Sequence, residues 1–276
     1  MTPGARPVQW QEIRNVADIR LQLLAQSKEP GVEHRLERQV TAPVFHSLVL
    51  DVLRFMGGGV CHQLPARSLQ VAGQTLPLCA RCTGTHLGAM IGLLTVLLRG
   101  RARASLLPRW PVLLLCGLFF LAWGIDGLNS YLALFPGAPY LYEPANPLRL
   151  LTGLLEGLSL TLVIWPVVAF TLWRHPKPVP VVSLPEFAAS VLAGVAVVVL
   201  LSFHLPGLLY LGGVVSILGL LTLFALLNAL LLVVALRREG TLDTSRQALR
   251  LLAGTCLLGA GELVLLSLLR HWLLRL

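Results

Sequence analysis

Three cysteines and a histidine stand close together in the sequence, in a pattern that suits a soft metal ion. Cys61 and His62 are followed by the Cys-x-x-Cys pair Cys79 and Cys82. Thiolate sulfur and imidazole nitrogen are the ligands that zinc prefers, and two cysteines separated by two residues can bind one ion from a tight turn. Cys61 or His62 would complete the set from the other side of a short loop, with His86 as a fourth ligand. We therefore predict a site for zinc or another soft divalent metal.

The same cysteines also suit thiol redox chemistry. A Cys-x-x-Cys pair at a helix N-terminus has its thiolate stabilised by the helix dipole, and Arg81 would add a positive charge between Cys79 and Cys82. An extracytoplasmic position would be oxidising enough for a disulfide, although only Cys61 is present as a further nearby thiol. A catalytic or transported metal, or a metal or disulfide that only holds a loop in place, also fits the pattern. The two remaining cysteines are expected to be ordinary membrane residues: Cys116 and Cys256.

Ionisable residues also occur inside apolar segments, where a charge costs several kcal/mol. Asp126, Glu156 and His86 are expected at one depth, close to that of the cysteines. Asn146 and Arg149 stand nearby, and Arg149 could pair with Asp126 or Glu156. A transporter that uses the two acids as proton or ion carriers is therefore a further functional class that the sequence allows.

The composition is that of a membrane protein. Hydrophobic residues make up 55% of the 276 residues and charged residues only 13%, about half the share of a soluble domain. A soluble fold of this length would lack the polar groups to cover its surface. The net charge of +9 comes from arginines that flank apolar segments, a pattern that orients membrane proteins and does not indicate nucleic-acid binding. We expect the lipid bilayer as the partner, and the sequence identifies no protein partner.

Long apolar segments must hold these residues in place. A helix needs about 20 apolar residues to cross about 30 Å of hydrocarbon. Because the segments are apolar on every face, we predict an all-α, polytopic transmembrane helical bundle of about six spans, or seven with a further candidate helix. Six segments qualify: 80–98, 110–134, 148–173, 184–203, 207–236 and 248–269.

The candidate for a seventh span is 43–60, which is ended by a run of three glycines. Ser47, Asp51 and Arg54 form one polar stripe on its surface, so we predict a non-spanning or partly inserted helix. Before it, 1–42 is predicted to be a polar helical segment. It has no early apolar core, so we expect no cleavable signal peptide and a targeting role for the first span.

A proline-rich loop separates a motif-bearing membrane domain, 43–175, from a C-terminal membrane segment, 176–276, with the last three spans. In the first span, Gly84, Gly88 and Gly92 are spaced by four residues, which aligns them on one helix face. Such spacing allows close contact with a neighbouring helix, and we predict tight packing there. The third span has the same spacing at Gly153 and Gly157.

The loops indicate the orientation. Arginines are concentrated in the loops after spans one, three and five, and the alternate loops contain almost none. The positive-inside rule therefore places the arginine-rich loops in the cytoplasm and the cysteines on the extracytoplasmic face. Arg270, Arg275 and the basic N-terminal tail argue against this orientation.

Two blocks of the sequence resemble a family of predicted prokaryotic membrane proteins, domain-of-unknown-function family 2085. The motifs are Cys-His-Gln at 61–63, Arg-Ser at 67–68, the Cys-Ala-Arg-Cys-Thr-Gly run at 79–84, Ile-Asp-Gly at 125–127 and the block 146–153. The resemblance covers about 60–166 and implies a multi-pass protein of the prokaryotic inner (plasma) membrane. It implies no reaction, because the family has none assigned. Further functional candidates from the motifs and the buried charges are Gln63, Arg67, Ser68, Arg81, Gly84, Asp126, Asn146, Arg149 and Glu156.

Overall fold

The computed structural model describes residues 48–71 and 74–274, and the described residues from Leu50 onward belong to one compact unit. In this part of the chain, six helices are long and apolar enough to cross a membrane. The chain is therefore an all-α, polytopic transmembrane bundle, as the composition predicted. The predicted polar helix 1–42, the first residues of 43–60 and Arg275 lie outside the described residues.

Seven helices and four short strands make up the described chain. The described part of the first helix, α1, is 48–58. The long helices are α2 (Ala80–Leu98), α3 (Trp110–Leu132), α4 (Asn146–Leu172), α5 (Leu184–Ser202), α6 (Pro206–Ala235) and α7 (Ser245–Leu273). The short elements are a 3-10 helix (Pro65–Arg67), the antiparallel strands β1 (Gln70–Val71) and β2 (Gln74–Thr75), and the parallel strands β3 (Ala104–Leu106) and β4 (Lys177–Pro180).

The helix starts explain why the predicted spans agree with the observed helices to within a few residues. Four helices, α3 to α6, have a proline in their first turn, where the missing N–H has no intrahelical partner to lose. Capping boxes begin α5 at Ser183 with Glu186 and α7 at Thr244 with Gln247. In each box, two side chains satisfy N–H groups that the helix leaves free.

Helices α2 and α4 pack closely through their glycines. A Cβ at Gly84 would overlap the backbone of Leu150 on α4, and a Cβ at Gly153 would overlap the backbone of Arg81 on α2. This close approach confirms the packing that the four-residue spacing predicted. It also holds the first turn of α2, which carries two of the cysteines, against α4.

The loops alternate between two ends of the bundle. The three arginine-rich loops meet at one end, where the N–H of Lys177 donates to the carbonyl of Arg103 at 2.7 Å; we call this the arginine-loop end. At the other end, here called the cysteine end, Cys61 meets the start of α2, and Arg67 donates to the carbonyl of Ser130 at the end of α3. The grouping of the loops is that of the predicted topology, and the side of the membrane that each end faces stays a prediction.

Candidate metal centre

Three cysteine side chains come together where α2 begins. The Sγ atoms of Cys61, Cys79 and Cys82 all lie within 4.8 Å of one another. All three are free thiols, and Cys61 and Cys79 are fully buried. The apolar residues packed in the same cluster are Leu78, Ile217, Leu220 and Leu263. This wall limits the access of water to the sulfur atoms.

The start of α2 positions two of the thiols. Cys79 is the N-cap residue of α2, and its carbonyl accepts the N–H of Thr83 at 2.8 Å. Cys82 follows in the first turn, so both side chains lie at the positive end of the helix dipole. The N–H of Cys79 donates to Sγ of Cys61 at 3.2 Å and so joins the third cysteine to the helix start. Positive charge and N–H donors near sulfur favour the thiolate, which is the form that binds metal.

Cys61 follows the end of α1, which glycines bring close to its neighbours. A Cβ at Gly57 would lie 2.8 Å from the carbonyl oxygen of Pro77, and a Cβ at Gly59 would lie 2.9 Å from the backbone nitrogen of Ser267 on α7. The end of α1 therefore lies between the last helix and the segment that leads into α2. The predicted helix end at this glycine run is confirmed, since α1 stops at residue 58.

Gln63 connects the two segments that carry the thiols. Its Nε2 donates to the carbonyl oxygen of Arg54 at 2.6 Å and to that of Pro77 at 2.7 Å. Its backbone has a φ of 53°, a left-handed conformation that costs a non-glycine residue about 1–3 kcal/mol. The glutamine of the Cys-His-Gln motif therefore holds the loop after Cys61 against the segment before Cys79.

Arg270, on α7, closes the loop of Cys61 from the other side. Its Nη1 donates to the carbonyl oxygens of Gly58 at 2.6 Å and Cys61 at 2.8 Å, and its Nη2 donates to that of His62 at 3.2 Å. Carbonyls at a helix C-terminus have no intrahelical partner and attract a positive charge. Arg270 had counted against the predicted orientation as a terminal charge, but its role in the structure is to bind this backbone.

The two histidines predicted as ligands lie apart from the sulfur atoms. His62 is exposed, and its Nδ1 accepts the N–H of Leu64 at 3.1 Å. His86 lies one turn beyond Cys82 in α2, and its buried Nδ1 has no hydrogen-bond partner among the described residues. Within the same part of the chain, neither histidine places a nitrogen within 4.8 Å of all three sulfur atoms. Of the two residues that could complete the set from the preceding loop, it is Cys61 that meets the Cys-x-x-Cys pair.

The close approach of the thiols gives them unequal acidities. Hydrogen bonds from the Cys61 and Cys82 thiols lower the pKa of Cys79 to about 2, although burial acts in the opposite direction. The hydrogen bond to Cys79 raises the pKa of Cys61, and burial raises it further. Of these two thiols, Cys79 is therefore the one whose surroundings favour the thiolate.

A second cluster of polar side chains centres on Asp126, whose side chain is 1% exposed. Its carboxylate forms an ion pair with Arg81 and accepts hydrogen bonds from Tyr142 at 2.9 Å and Thr152 at 3.4 Å. Arg81 was expected to stabilise a thiolate, and its guanidinium donates to Asp126 and to Ser130. These contacts join α2, α3, α4 and the loop between α3 and α4.

Arg149 does not form the ion pair that its position suggested. The sequence allowed a pair with Asp126 or Glu156, but among the described residues Arg149 contacts no carboxylate. Arg81 occupies the carboxylate of Asp126, and the Nη1 of Arg149 instead donates to Oδ1 of Asn146 at 2.8 Å. The common depth of these residues in the membrane stays a prediction, and the partner of Asp126 is Arg81 and not Arg149.

The other charged and polar candidates lie in separate surroundings. Ser68 is buried and donates to the carbonyl of Leu64 at 2.9 Å, which supports the loop after Cys61. Glu156 is buried in α4, and its Oε2 has no hydrogen-bond partner in the described part of the chain. Glu262 on α7 accepts a hydrogen bond from Asn228 on α6 at 2.8 Å.

Ser130 and Tyr142 belong to the site but were not predicted from the sequence. Ser130 lies four residues after Asp126 on α3, so helical spacing alone places the two on one face. Tyr142 lies in the loop before α4, and no sequence pattern indicates that its hydroxyl contacts Asp126. The contact depends on Asn129, whose side chain accepts the N–H of Leu141 at 2.6 Å and donates to the carbonyl of Tyr142 at 2.9 Å.

Comparisons with known proteins cover the part of the chain that contains these clusters. Residues 61–163 match the model of a family described as predicted membrane protein, DUF2085. An uncharacterised protein of Methanocaldococcus jannaschii is 26% identical over 109 residues, which are 39% of this chain and 63% of that protein. An uncharacterised protein of Methanothermobacter thermautotrophicus is 30% identical over 104 residues, which are 38% of this chain and 83% of that protein. No solved structure matches the chain significantly.

Proposed function

The chain belongs to the DUF2085 family of predicted membrane proteins, and we propose that it is a metal-binding member in which Cys61, Cys79 and Cys82 bind zinc or a similar soft divalent ion. The observation that carries this proposal is the meeting of three free thiols, all within 4.8 Å of one another, at the start of α2. Two of them come from one helical turn and the third from a distant segment, so the folded chain assembles the site.

The donor set fits a soft ion. Zn–S bonds of about 2.3 Å place the sulfur atoms of a tetrahedral site roughly 3.8 Å apart, so small side-chain rotations from the observed positions would suffice. Among the described residues, no further histidine, cysteine, aspartate or glutamate places a ligand atom within 4.8 Å of all three sulfur atoms. A tetrahedral ion would therefore keep one position for water or an external ligand, which distinguishes catalytic zinc sites from closed structural ones.

The surroundings support the ligands in the way that metal sites require. Gln63, in the loop of Cys61, donates to the carbonyl groups of Arg54 and Pro77. Arg270 donates to the carbonyl group of Cys61, and the N–H of Cys79 donates to its sulfur. Contacts of this kind orient ligands and are commonly worth tenfold to a hundredfold, roughly, in metal affinity. Cys79 already favours the thiolate, so only the remaining thiols have to lose protons when the ion binds.

We place the site on the extracytoplasmic face of the inner (plasma) membrane. The positive-inside rule supports this placement, since the loops at the arginine-loop end carry the basic residues. The binding of Arg270 to backbone carbonyls removes one charge that argued against it.

Metal analysis of the purified protein tests the proposal. We expect about one zinc ion per chain after purification with reductant and zinc, as for a single tetrahedral site. Cys79→Ser/Cys82→Ser should lose it, whereas the matched variant Cys116→Ser/Cys256→Ser should retain it, because those two cysteines lie outside the cluster. Equal metal content in the two variants, or none in the unaltered protein, would contradict the proposal.

Thiol–disulfide exchange is a second candidate, favoured by the low pKa of Cys79 beside Cys82. In that reaction, the Cys79 thiolate and the Cys82 thiol would form one disulfide and pass two electrons and one proton to an external two-electron acceptor such as a quinone. Alkylation in cells separates the candidates. Thiols that react only after a chelator is added indicate metal, and thiols that react only after a reductant is added indicate a disulfide.

A further inference from the structure

Three arginine side chains meet at one residue of the cysteine end, beside the thiols. Arg67 donates to the carbonyl oxygen of Ser130. Arg81 donates to Oγ of Ser130 at 3.1 Å, and Arg149 donates to the same Oγ at 3.3 Å. The three guanidinium groups come from the loop before α2, from α2 and from α4, so the fold brings together like charges that are distant in sequence.

The carboxylates of the described residues do not balance this charge. Arg81 is neutralised by Asp126, which is buried and bonded on both oxygens. Arg67 and Arg149 form no ion pair among the described residues, and the residue Arg149 is only 6% exposed. Placing like charges close together with little access to water is unfavourable unless an anion neutralises them.

A small cavity opens on these two free arginines. Its volume is about 240 Å³, and its polar lining consists of Arg67, Arg149, Tyr140 and Glu143. The only carboxylate there, Glu143, is exposed and accepts a hydrogen bond from the Tyr140 hydroxyl at 2.6 Å. Pockets for drug-sized ligands usually have volumes of about 300–1,000 Å³, so this cavity suits a compact charged group.

The geometry points to a binding site for a phosphate group, held by Arg67 and Arg149 at the cysteine end of the bundle. Guanidinium groups bind phosphate through paired, charge-assisted N–H···O bonds, and two of them can neutralise a dianion. Nη1 and Nε of Arg149 are already bonded to Asn146 and Ser130, which holds the side chain in one orientation and leaves Nη2 for the ligand. The site shares no residue with the three thiols and goes beyond the proposed metal function.

The phosphate can belong to a lipid headgroup or to a free anion. The loop beside the cavity exposes large apolar side chains, with Leu134 50% and Phe135 51% exposed. Such residues are compatible with acyl chains next to a bound headgroup. Inorganic phosphate would bind to the same two arginines as a lipid headgroup. The two sources differ because only the lipid needs a bilayer-like environment.

Equilibrium binding to the full chain in neutral detergent tests the site in two arms. One arm titrates inorganic phosphate, followed by calorimetry, and the other adds phosphatidylglycerol or phosphatidylcholine to the micelles, followed by co-purification. Saturable binding in the first arm identifies a free anion, and binding of phosphatidylglycerol alone identifies a lipid headgroup; either result supports the site. No saturable binding in either arm overturns it.

Variants locate the binding. Arg67→Gln should weaken it by about tenfold or more, because a charge-assisted hydrogen bond is lost. The control Arg109→Gln, an exposed arginine at the arginine-loop end, should leave it unchanged. Glu143→Gln should tighten phosphate binding, because it removes a negative charge from the cavity. The fold does not depend on this exposed side chain. Equal effects of Arg67→Gln and Arg109→Gln, or weaker binding by Glu143→Gln, would overturn the inference.

The outcome is separable from that of the metal proposal. The same titrations in the Cys79→Ser/Cys82→Ser background should give the same affinity, because none of the thiols lines the cavity. Loss of phosphate binding in that background alone would overturn the independence of the two sites. Metal content measured on the same samples shows which of the two proposals has failed.

Discussion

Arginine side chains are bonded differently at the two ends of the helix bundle. At the arginine-loop end, Arg174 pairs with Asp243 at 2.9 Å and Arg101 pairs with Glu186 at 3.0 Å. Arg103 at that end stacks on the ring of Trp173, with its guanidinium carbon 4.4 Å from the ring centre. At the cysteine end, Arg81 is paired with a carboxylate, whereas Arg67, Arg149 and Arg270 bind backbone carbonyls or neutral side chains of the described chain.

This difference separates two uses of positive charge in one membrane protein. Exposed, paired arginines in loops hold the loops together and bias the orientation of the chain. Arginines that bind carbonyls, such as Arg270, are part of the internal structure, and those without a carboxylate, such as Arg67 and Arg149, are available to a ligand. A count of charges by position therefore bears on topology for arginines exposed in loops, and not for an arginine such as Arg270, which binds backbone carbonyls.

Among changes that test this comparison, the replacement of Asp126 at the cysteine end should have the largest effect on stability. Asp126→Asn leaves the Arg81 guanidinium buried without a carboxylate, and breaking a buried pair in this way costs about 3–5 kcal/mol of unfolding free energy. Asp243→Asn removes the partner of Arg174, whose side chain is 56% exposed, and such a pair contributes about 0–1 kcal/mol. Thermal unfolding of both variants in the same detergent measures the difference.

Tyr142→Phe is a control for the first of these variants. It removes one hydrogen bond from Asp126 and keeps the carboxylate, so we expect a loss of only about 1 kcal/mol. If Asp126→Asn and Asp243→Asn lower the midpoint of unfolding equally, the proposed contrast between the two ends is wrong.

The next largest expected effect is the loss of zinc affinity when Arg270 is replaced. Arg270→Gln removes the cation that binds three carbonyl groups around Cys61. We expect a loss in zinc affinity of about tenfold to a hundredfold, the usual effect of a residue that supports a ligand. Competition with a chromophoric chelator measures it. Arg250→Gln, an exposed arginine of α7 near the other end, is the matched control and should bind zinc like the unaltered protein.

The helices were predictable because their signals are local. Apolar length gives the spans, prolines mark the first turns, and the spacing of Gly84 and Gly153 indicates a close helix pair. The meeting of Cys79 and Cys82 with a ligand from the earlier segment was also predicted, since the Cys-x-x-Cys pair needs a further ligand. What could not be predicted is which residue would supply it, because Cys61 and His62 are adjacent and only the fold decides which of them faces the pair.

The polar contacts around the site were harder to predict because they join distant segments. The ion pair of Asp126 with Arg81, in place of Arg149, depends on how α2 and α3 are rotated about their axes, which the sequence pattern does not determine. The binding of Arg270 to the Cys61 loop requires that the last helix returns to the first cysteine. A charge near a chain end gives no local sign of such a role.

The smallest expected effect is the change of stability with salt concentration, which tests the ion pair at the arginine-loop end. The Debye length falls from about 10 Å at 0.1 M to about 3 Å at 1 M ionic strength, so the exposed Arg174–Asp243 pair should weaken while the buried Arg81–Asp126 pair is screened little. As sodium chloride is raised, the free energy of unfolding of the unaltered protein should fall by less than about 1 kcal/mol. The unfolding midpoint should fall slightly with it. Asp243→Asn should reduce this dependence and Asp126→Asn should keep it. If Asp126→Asn abolishes the salt response instead, the pair at the cysteine end is accessible to ions, and the contrast between the two ends lies in the number of acids and not in their burial.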